Sequence, residues 1–293
     1  MYYLNGHKRF IEISSGNKPQ FSKQEYSMVF GVLSCIGILC VVMGHMGCDL
    51  LSLNGWLPYA TFHMPLFFFI SGYFYRYDGK RTLINSVVQL IKKLLVPFYM
   101  IYILYYFLYI LLNRFWGCTI GIETGFLNYL SAPFTDIQPA GFCTPAWFVI
   151  TLFGVRVFHL CLQKLLHVLN VKEKEAREYI TVIIYIISGV IVFKMGTTID
   201  FGWIKNIFKV IYGLSFYQIG YLFRKYFEKL IMEVNVFVYF GILIILREFL
   251  WIRVGWASIA MYSFSDIEEG YFAATLSAII GILFWYRISV IVS

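Results

Sequence analysis

The sequence predicts an all-α membrane protein, a polytopic transmembrane helical bundle with about eight spans. Of its 293 residues, 60% are hydrophobic and only 14% are charged, whereas a soluble domain is about 25% charged. Apolar runs of about 20 residues, the length that crosses a bilayer, recur along the whole chain. These runs are continuous rather than alternating, so we expect helices and not barrel strands.

The predicted organisation is a short tail followed by one membrane domain. Residues 1–27 form the predicted cytoplasmic N-terminal tail, and residues 28–293 form the membrane domain. The tail lacks an apolar core followed by a small-residue cleavage site, so no removable signal peptide is expected. The predicted spans are 28–48, 56–75, 94–113, 146–168, 179–195, 203–223, 230–250 and 270–291.

The basic residues indicate an orientation rather than a nucleic-acid partner. The net charge of +8 arises mainly in short loops on alternate sides of the spans, as the positive-inside rule predicts. The N-terminus and the basic loops are therefore predicted to lie in the cytoplasm. Lys194, Lys205 and Lys209 oppose this assignment, which leaves the orientation of spans five and six open.

Two loops and the cysteines give further expectations. The outer loop 114–145 is long and rich in Gly, Pro and aromatic residues, which is typical of functional loops. The charged loop 171–178 is interpreted as a solvated helix end. A disulfide between Cys118 and Cys143 is one alternative and free thiols are the other. The six cysteines show no CxxC spacing, so no metal site is expected.

Two histidines are the main candidates for chemistry. His45 closes the first predicted span, and His63 lies near the start of the second. Ionisable side chains inside apolar segments are costly and usually have a task, and imidazole exchanges protons near neutral pH. The alternative for His45 is a helix anchor at the headgroup region. For His63 it is a partner for backbone carbonyls freed by Pro65.

Basic residues are the second set of candidates. Arg156 sits near the middle of the fourth predicted span, and its planar fork suits a phosphate or a carboxylate. Arg76, Lys92 and Lys93 are predicted to line a cytoplasmic basic cluster, together with Lys80 and Arg81. This cluster either holds the phosphates of coenzyme A or simply anchors the loops.

Five segments resemble a known family in their order along the chain. They are GILCVVMGH (37–45), FHMPLFFFISGYFYR (62–76), KKLLVPFY (92–99), PAWFVITLF (145–153) and FYQIGYLFRKY (216–226). Together they resemble the acyltransferase-3 family of membrane O-acyltransferases, in particular its fucose 4-O-acetylase-like branch. The resemblance covers roughly residues 28–230.

This resemblance implies a reaction and its participants. Family members are polytopic, usually with about ten spans, and move acetyl from acetyl-CoA to hydroxyls of surface glycans. By the resemblance, His45 is the catalytic residue. Acetyl-CoA would be a co-substrate with no bound cofactor. The other partners would be a glycan or lipid-linked sugar and membrane lipids, and the location a bacterial inner membrane.

The chain also departs from the family pattern. Many relatives carry an Asp and a Lys or Arg early in the first span, where this chain has Gly31 and Ser34. It ends at Ser293, before the family's final segment, which predicts a shortened or divergent member. These departures keep open a catalytically silent subunit. A proton-coupled transporter or flippase of a lipid-linked sugar or small anion also stays open, because intramembrane His and Arg suit such a carrier equally well.

Overall fold

The computed structural model confirms the all-α prediction. Among the residues that it describes, every regular element is a helix and none is a strand. These residues are 23–46, 59–76, 81–117, 125–135, 146–169, 171, 173–196, 202–254 and 270–293. Residues 1–22, which make up most of the predicted N-terminal tail, and the cysteines Cys118 and Cys143 lie outside the described residues.

The helices follow the apolar runs of the sequence. In chain order they are α1 (Lys23–Met46), α2 (Tyr59–Tyr73), α3 (Leu83–Leu90), α4 (Val96–Trp116), α5 (Phe126–Thr135), α6 (Ala146–Val168), α7 (Lys174–Gly196), α8 (Gly202–Leu222), α9 (Glu228–Glu233), α10 (Val236–Val254) and α11 (Gly270–Val292). Two π-helical segments join neighbouring helices: Ile91–Leu95 joins α3 to α4, and Phe223–Phe227 joins α8 to α9.

Each of the eight predicted spans overlaps a helix, but the seventh, 230–250, crosses the break between α9 and α10, and not every helix is a full span. Among the described residues, five helices are long and apolar enough to cross a membrane, and a sixth candidate is the bent pair Gly202–Glu233 and Val236–Ile252. Helix α2 has only 15 residues, about 22 Å of axial length, less than the hydrocarbon thickness of a bilayer. Helix α1 begins at Lys23, and the candidate span within it, Tyr26–Met46, begins two residues before the predicted start at residue 28.

Local chemistry sets the breaks in these helices. Pro97, at the start of α4, has no N–H to donate to the carbonyl four residues back, and a π-helical segment ends just before it. Helix α4 ends at Gly117, whose φ of 61° is left-handed, as a C-terminal glycine allows. The 102° bend between α9 and α10 follows Asn235, whose side chain accepts from the Phe237 amide at 3.0 Å.

Helices α2, α8 and α11 form the centre of the bundle. Helix α2 packs against α1, α8 and α11, while α8 also packs against α6 and α7. The most apolar window of α11 is 56% buried inside the protein, against 11% for the span Leu83–Phe115. The long α3–α4 helix therefore lies at the periphery, and its apolar side chains face outward, as lipid contact requires.

Ring contacts define the relative directions of these helices. Phe30 on α1 packs on Tyr73 at the end of α2 with centroids 4.3 Å apart, so α1 and α2 are antiparallel. Arg224, just after α8, donates to the Tyr73 carbonyl at 3.2 Å, so α2 and α8 finish at the same end. His159 packs on Tyr217 at 4.9 Å, which aligns α6 with α8.

The two ends of the bundle therefore differ in charge. At one end α2, α6 and α8 finish while α1 and α7 begin. We call it the basic end because it carries Arg76, Lys164, Arg177, Arg224 and Lys225. The opposite end, where α1 finishes, is called the His45 end. The predicted cytoplasmic loops thus gather at one end, while the side of the membrane that this end faces stays a prediction.

Two glycines bring α2 and α8 into backbone contact. A Cβ atom placed on Gly72 would lie 1.8 Å from the Tyr217 carbonyl oxygen, and one placed on Gly220 would lie 2.0 Å from the Phe69 carbonyl oxygen. Only glycine fits at both positions. Small residues commonly permit such close helix approach in membranes.

The buried lysine of α8 explains one of the charges that opposed the predicted topology. Lys209 is fully buried near the His45 end. Its ammonium lies 4.2 Å from the Trp147 ring centroid and 3.4 Å from Asn206 Oδ1. Asn206 in turn donates to the Phe134 carbonyl of α5 at 3.1 Å. Lys209 and Asn206 therefore help to hold α5, which belongs to the predicted outer loop 114–145, against α6 and α8.

Candidate functional site

His45 and His63 lie at the same end of the bundle. His45 is exposed on the last turn of α1, and His63 is half-buried on α2. A Cβ atom on Gly37 would lie 2.8 Å from the Phe67 ring, which aligns Gly37 with Phe67 on these antiparallel helices. His63, one turn before Phe67, is then level with Val41. His45 lies four residues, or about 6 Å along the axis, beyond that level.

The predicted basic residues are spread along the bundle. Arg76 is exposed just after α2, and Arg81 is held at the same end by Lys164, whose ammonium donates to the Arg81 carbonyl at 2.8 Å. Lys92 and Lys93 are exposed on the π-helical segment, roughly 16 Å farther along the helix axis. Lys80 lies outside the described residues. The four described members of this cluster therefore do not meet at a single phosphate-binding point.

Arg156 belongs to a different group of residues inside the bundle. It is half-buried near the middle of α6 and interacts with the Tyr217 hydroxyl on α8. One turn further on, His159 is only 2% exposed. Its Nδ1 lies 3.0 Å from the Tyr185 hydroxyl. The structure therefore pairs Arg156 with a tyrosine hydroxyl.

Aromatic rings enclose His159. The Tyr75 ring meets the imidazole edge-on at 4.6 Å between centroids, and the Tyr217 ring lies at 4.9 Å. Together with the hydrogen bond to Tyr185, these contacts fix the plane of the imidazole.

A small polar cavity adjoins His159 at the basic end. Its volume is about 40 Å³, and every lining residue is polar: Tyr75, His159, Gln163, Arg177, Glu178, Gln218 and Tyr221. Gln163 donates to Thr181 Oγ1 at 3.0 Å. Gln218 is only 3% exposed, and its Oε1 has no hydrogen-bond partner among the described residues. Such a buried carbonyl calls for a donor, so the cavity is suited to a ligand N–H, an O–H or water.

Glu178 closes the cavity toward the basic end. It accepts from the hydroxyls of Tyr221 and Tyr226 at 2.7 and 2.8 Å, and from the Lys225 ammonium at 2.8 and 2.7 Å. Its side chain is only 11% exposed. The interpretation of 171–178 as a solvated helix end is therefore wrong for Glu178, because the first turn of α7 packs against the end of α8.

Replacement of Glu178 is expected to loosen this end of the protein. Glu178→Leu removes the acceptor of two hydroxyls and one ammonium, and hydrogen bonds to a charged group contribute about 1.5–3 kcal/mol each. We expect a loss of about 2–3 kcal/mol, because Lys225 can regain water. Thermal unfolding of the purified protein measures it. Glu175→Leu, exposed on the same helix, is the matched control, and equal melting of the two variants would contradict the prediction.

Sequence reasoning missed most of this interior site. The only available signal was His159, which shares a helix face with Arg156 inside an apolar run. Gln163 and Gln218 gave no signal because single glutamines are unremarkable in sequence. Their juxtaposition depends on α6 and α8, which are 55 positions apart at these residues.

The fold and this interior site define a class of protein: an integral membrane protein whose helical bundle holds buried, hydrogen-bonded titratable groups. Within that class, a family model described as an acyltransferase domain matches residues 32–292. The chain belongs to this acyltransferase-3 family and is a membrane acyltransferase, as the sequence resemblance predicted. Comparison with curated proteins and with solved structures finds no significant match.

Proposed function

We propose that this acyltransferase moves acetyl from acetyl-CoA to a hydroxyl of a cell-surface polysaccharide sugar. The observation that carries the proposal is the exposed His45 on the last turn of α1. From Tyr26 to His45 this helix has no charged residue. His45 therefore offers a proton acceptor where an apolar helix meets the aqueous phase, within reach of a polar acceptor.

His45 has two possible roles in the reaction. As general base it takes the proton of the sugar hydroxyl while that oxygen bonds to the acyl carbon; the carbon–sulfur bond breaks, and coenzyme A leaves as its thiol once the thiolate is protonated. As acyl carrier, an imidazole nitrogen accepts the acyl group first and passes it to the hydroxyl. His63 would support His45 from the neighbouring helix.

The acyl donor is proposed to approach from the basic end. Arg76 would bind phosphate groups there, and Lys92 and Lys93 would act from the peripheral helix. Arg156 and the unpartnered Gln218 carbonyl provide a donor and an acceptor inside the bundle, which suit the polar amide-bearing arm of coenzyme A. In the predicted orientation this end faces the cytoplasm of a bacterial cell, where acetyl-CoA is available.

A transporter or flippase is the second candidate, and one observation favours it. The pair Gly202–Glu233 and Val236–Ile252 is bent by 102°, and broken helices line substrate sites in many transporters. Such carriers usually show two broken helices in corresponding halves. Binding of coenzyme A distinguishes the two candidates: the acyltransferase is expected to bind it in purified form, and the transporter or flippase is not.

Polysaccharide chemistry tests the proposal directly. The surface polysaccharide of a deletion strain should lack O-acetyl signals in its proton NMR spectrum, and the wild-type gene should restore them. Unchanged acetylation in the deletion strain would overturn the assignment of the acceptor. Binding of coenzyme A to the purified protein, measured by calorimetry, would then decide whether an acyltransferase with a different acceptor or a carrier remains.

A further inference from the structure

A column of buried and half-buried polar side chains runs from the basic end into the otherwise apolar bundle. It lies between α6, α7 and α8 and reaches α11. Along α7 it extends from Glu178 to Tyr185, seven residues or about 10 Å along the helix axis. We call it the polar column, and its members are His159, Gln163, Glu178, Thr181, Tyr185, Ser215, Gln218, Tyr221 and Tyr271.

The inner part of the polar column is connected by hydrogen bonds. The Tyr271 hydroxyl donates to Ser215 Oγ at 2.9 Å, and Ser215 Oγ donates to the Tyr185 carbonyl at 3.5 Å. The Tyr185 hydroxyl lies 3.0 Å from His159 Nδ1. All four side chains are buried, so this part of the column lies in the interior of the bundle.

The outer part is connected separately, around Glu178. The Glu178 carboxylate accepts from the Tyr221 hydroxyl at 2.7 Å. Beside it, Gln163 donates to Thr181 Oγ1 at 3.0 Å, and Thr181 Oγ1 donates to the Arg177 carbonyl at 2.7 Å. Among the described residues, no side-chain hydrogen bond joins this outer part to the inner part.

The polar cavity beside His159 lies in this gap. His159 lines its inner side, and Glu178 and Tyr221 line its outer side. Gln218, which is only 3% exposed, contributes the carbonyl oxygen that has no hydrogen-bond partner among the described residues. Buried acceptors are normally paired. The two hydrogen-bonded parts of the column therefore face each other across a cavity whose wall holds an unsatisfied acceptor.

The size and charge of the cavity select its occupant. Its volume is about 40 Å³. One water molecule needs roughly 10–15 Å³ of cavity volume and at least two polar partners, whereas sites that enclose a whole small molecule are roughly 300–1,000 Å³. A cation is disfavoured, because Arg177 lines the same wall and Lys225 already neutralises Glu178. Water is the ligand that matches both properties.

We propose that this cavity binds internal water, which donates to Gln218 Oε1 and joins the inner and outer parts of the polar column. This water contacts His159 and provides a polar path toward Arg156, which lies one turn before His159 on α6. Ionisable side chains within membrane spans commonly face such water-filled cavities. The inference concerns the protein without substrate and is independent of the proposed function; an arm of a larger ligand would have to displace this water.

Hydroxyl-radical labelling of the purified full-length protein tests for this water. An X-ray pulse splits water into hydroxyl radicals, which oxidise the side chains that the water touches, and mass spectrometry locates the products. We expect His159 to be oxidised faster than Met64, although the two residues are 2% and 5% exposed. Met64 is the internal control, because methionine is the more reactive side chain and this one lies in the apolar core.

The variant Gln218→Met tests the role of the Gln218 carbonyl. Methionine keeps the length of the side chain but removes the acceptor, so the water loses a partner. We expect slower oxidation of His159 and a lower melting temperature. In a dry cavity the same change would remove an unpaired acceptor and raise the melting temperature. The matched control is Gln89→Met, at an exposed position of α3, which should leave the oxidation of His159 unchanged.

Three results would overturn the proposal. Oxidation of His159 no faster than that of Met64 would show that the cavity is dry. A higher melting temperature of Gln218→Met would show that the carbonyl is unpaired in the native protein. Undiminished oxidation of His159 in folded Gln218→Met would show that this carbonyl does not bind the water. The first result needs no variant, so it is decisive even if Gln218→Met fails to fold.

Discussion

Alanine at Gly220 is expected to prevent stable assembly of the bundle. The added methyl group would lie 2.0 Å from the Phe69 carbonyl oxygen and 2.8 Å from its carbon. Backbone atoms cannot rotate away as a side chain can, so α2 and α8 must separate by more than 1 Å. Overpacking commonly costs 1–3 kcal/mol. Because this contact joins two central helices, we expect about 3 kcal/mol or more, seen as low yield and a lower melting temperature.

The same chain provides the controls for this prediction. Gly72→Ala meets the Tyr217 carbonyl oxygen at 1.8 Å and should fail in the same way. Gly31→Ala and Gly241→Ala have no atom within 4 Å of the new methyl group. They should be neutral or slightly stabilising, because alanine favours helices by about 1 kcal/mol over glycine. Similar yield and melting for all four variants would show that α2 and α8 do not cross as described.

Alanine at His45 is expected to abolish acyl transfer without loss of protein. A positioned general base contributes about 10²–10⁴-fold to a rate, and loss of an acyl carrier removes the route altogether. His45 is exposed at a helix end, so its side chain contributes little to packing. The measurement is restoration of polysaccharide O-acetylation in the deletion strain, together with protein abundance in the membrane fraction.

His167 provides a matched control for His45. It is also exposed and also lies on the last turn of a helix, α6, but at the basic end. His167→Ala should restore acetylation as the wild type does. Full activity of His45→Ala at normal abundance would remove His45 from the mechanism and direct attention to the buried His159.

The outcome for spans five and six illustrates the limit of charge-based topology. Lys209 lies inside the sixth predicted span, 203–223, and its charge opposed the orientation given by the positive-inside rule, yet it is buried over Trp147 and held by Asn206. Sequence patterns cannot distinguish such a lysine from a solvated one, because its partners lie on other helices. The acidic residue Glu178 is a second example. It was interpreted as part of a solvated helix end, but it is buried against partners that lie 43–48 residues away in the sequence.

The sequence by itself determined the class of the protein, its helices and its family. Apolar runs specify helices locally, because the backbone must satisfy its own hydrogen bonds in lipid, and the ordered motifs specify the acyltransferase family. Only the tertiary structure decided which faces of these helices meet. The crossing at Gly72 and Gly220 and the cavity at Gln218 both depend on contacts between distant segments. In a nearly uniformly apolar chain, hydropathy carries no information on those pairings, and close packing selects them.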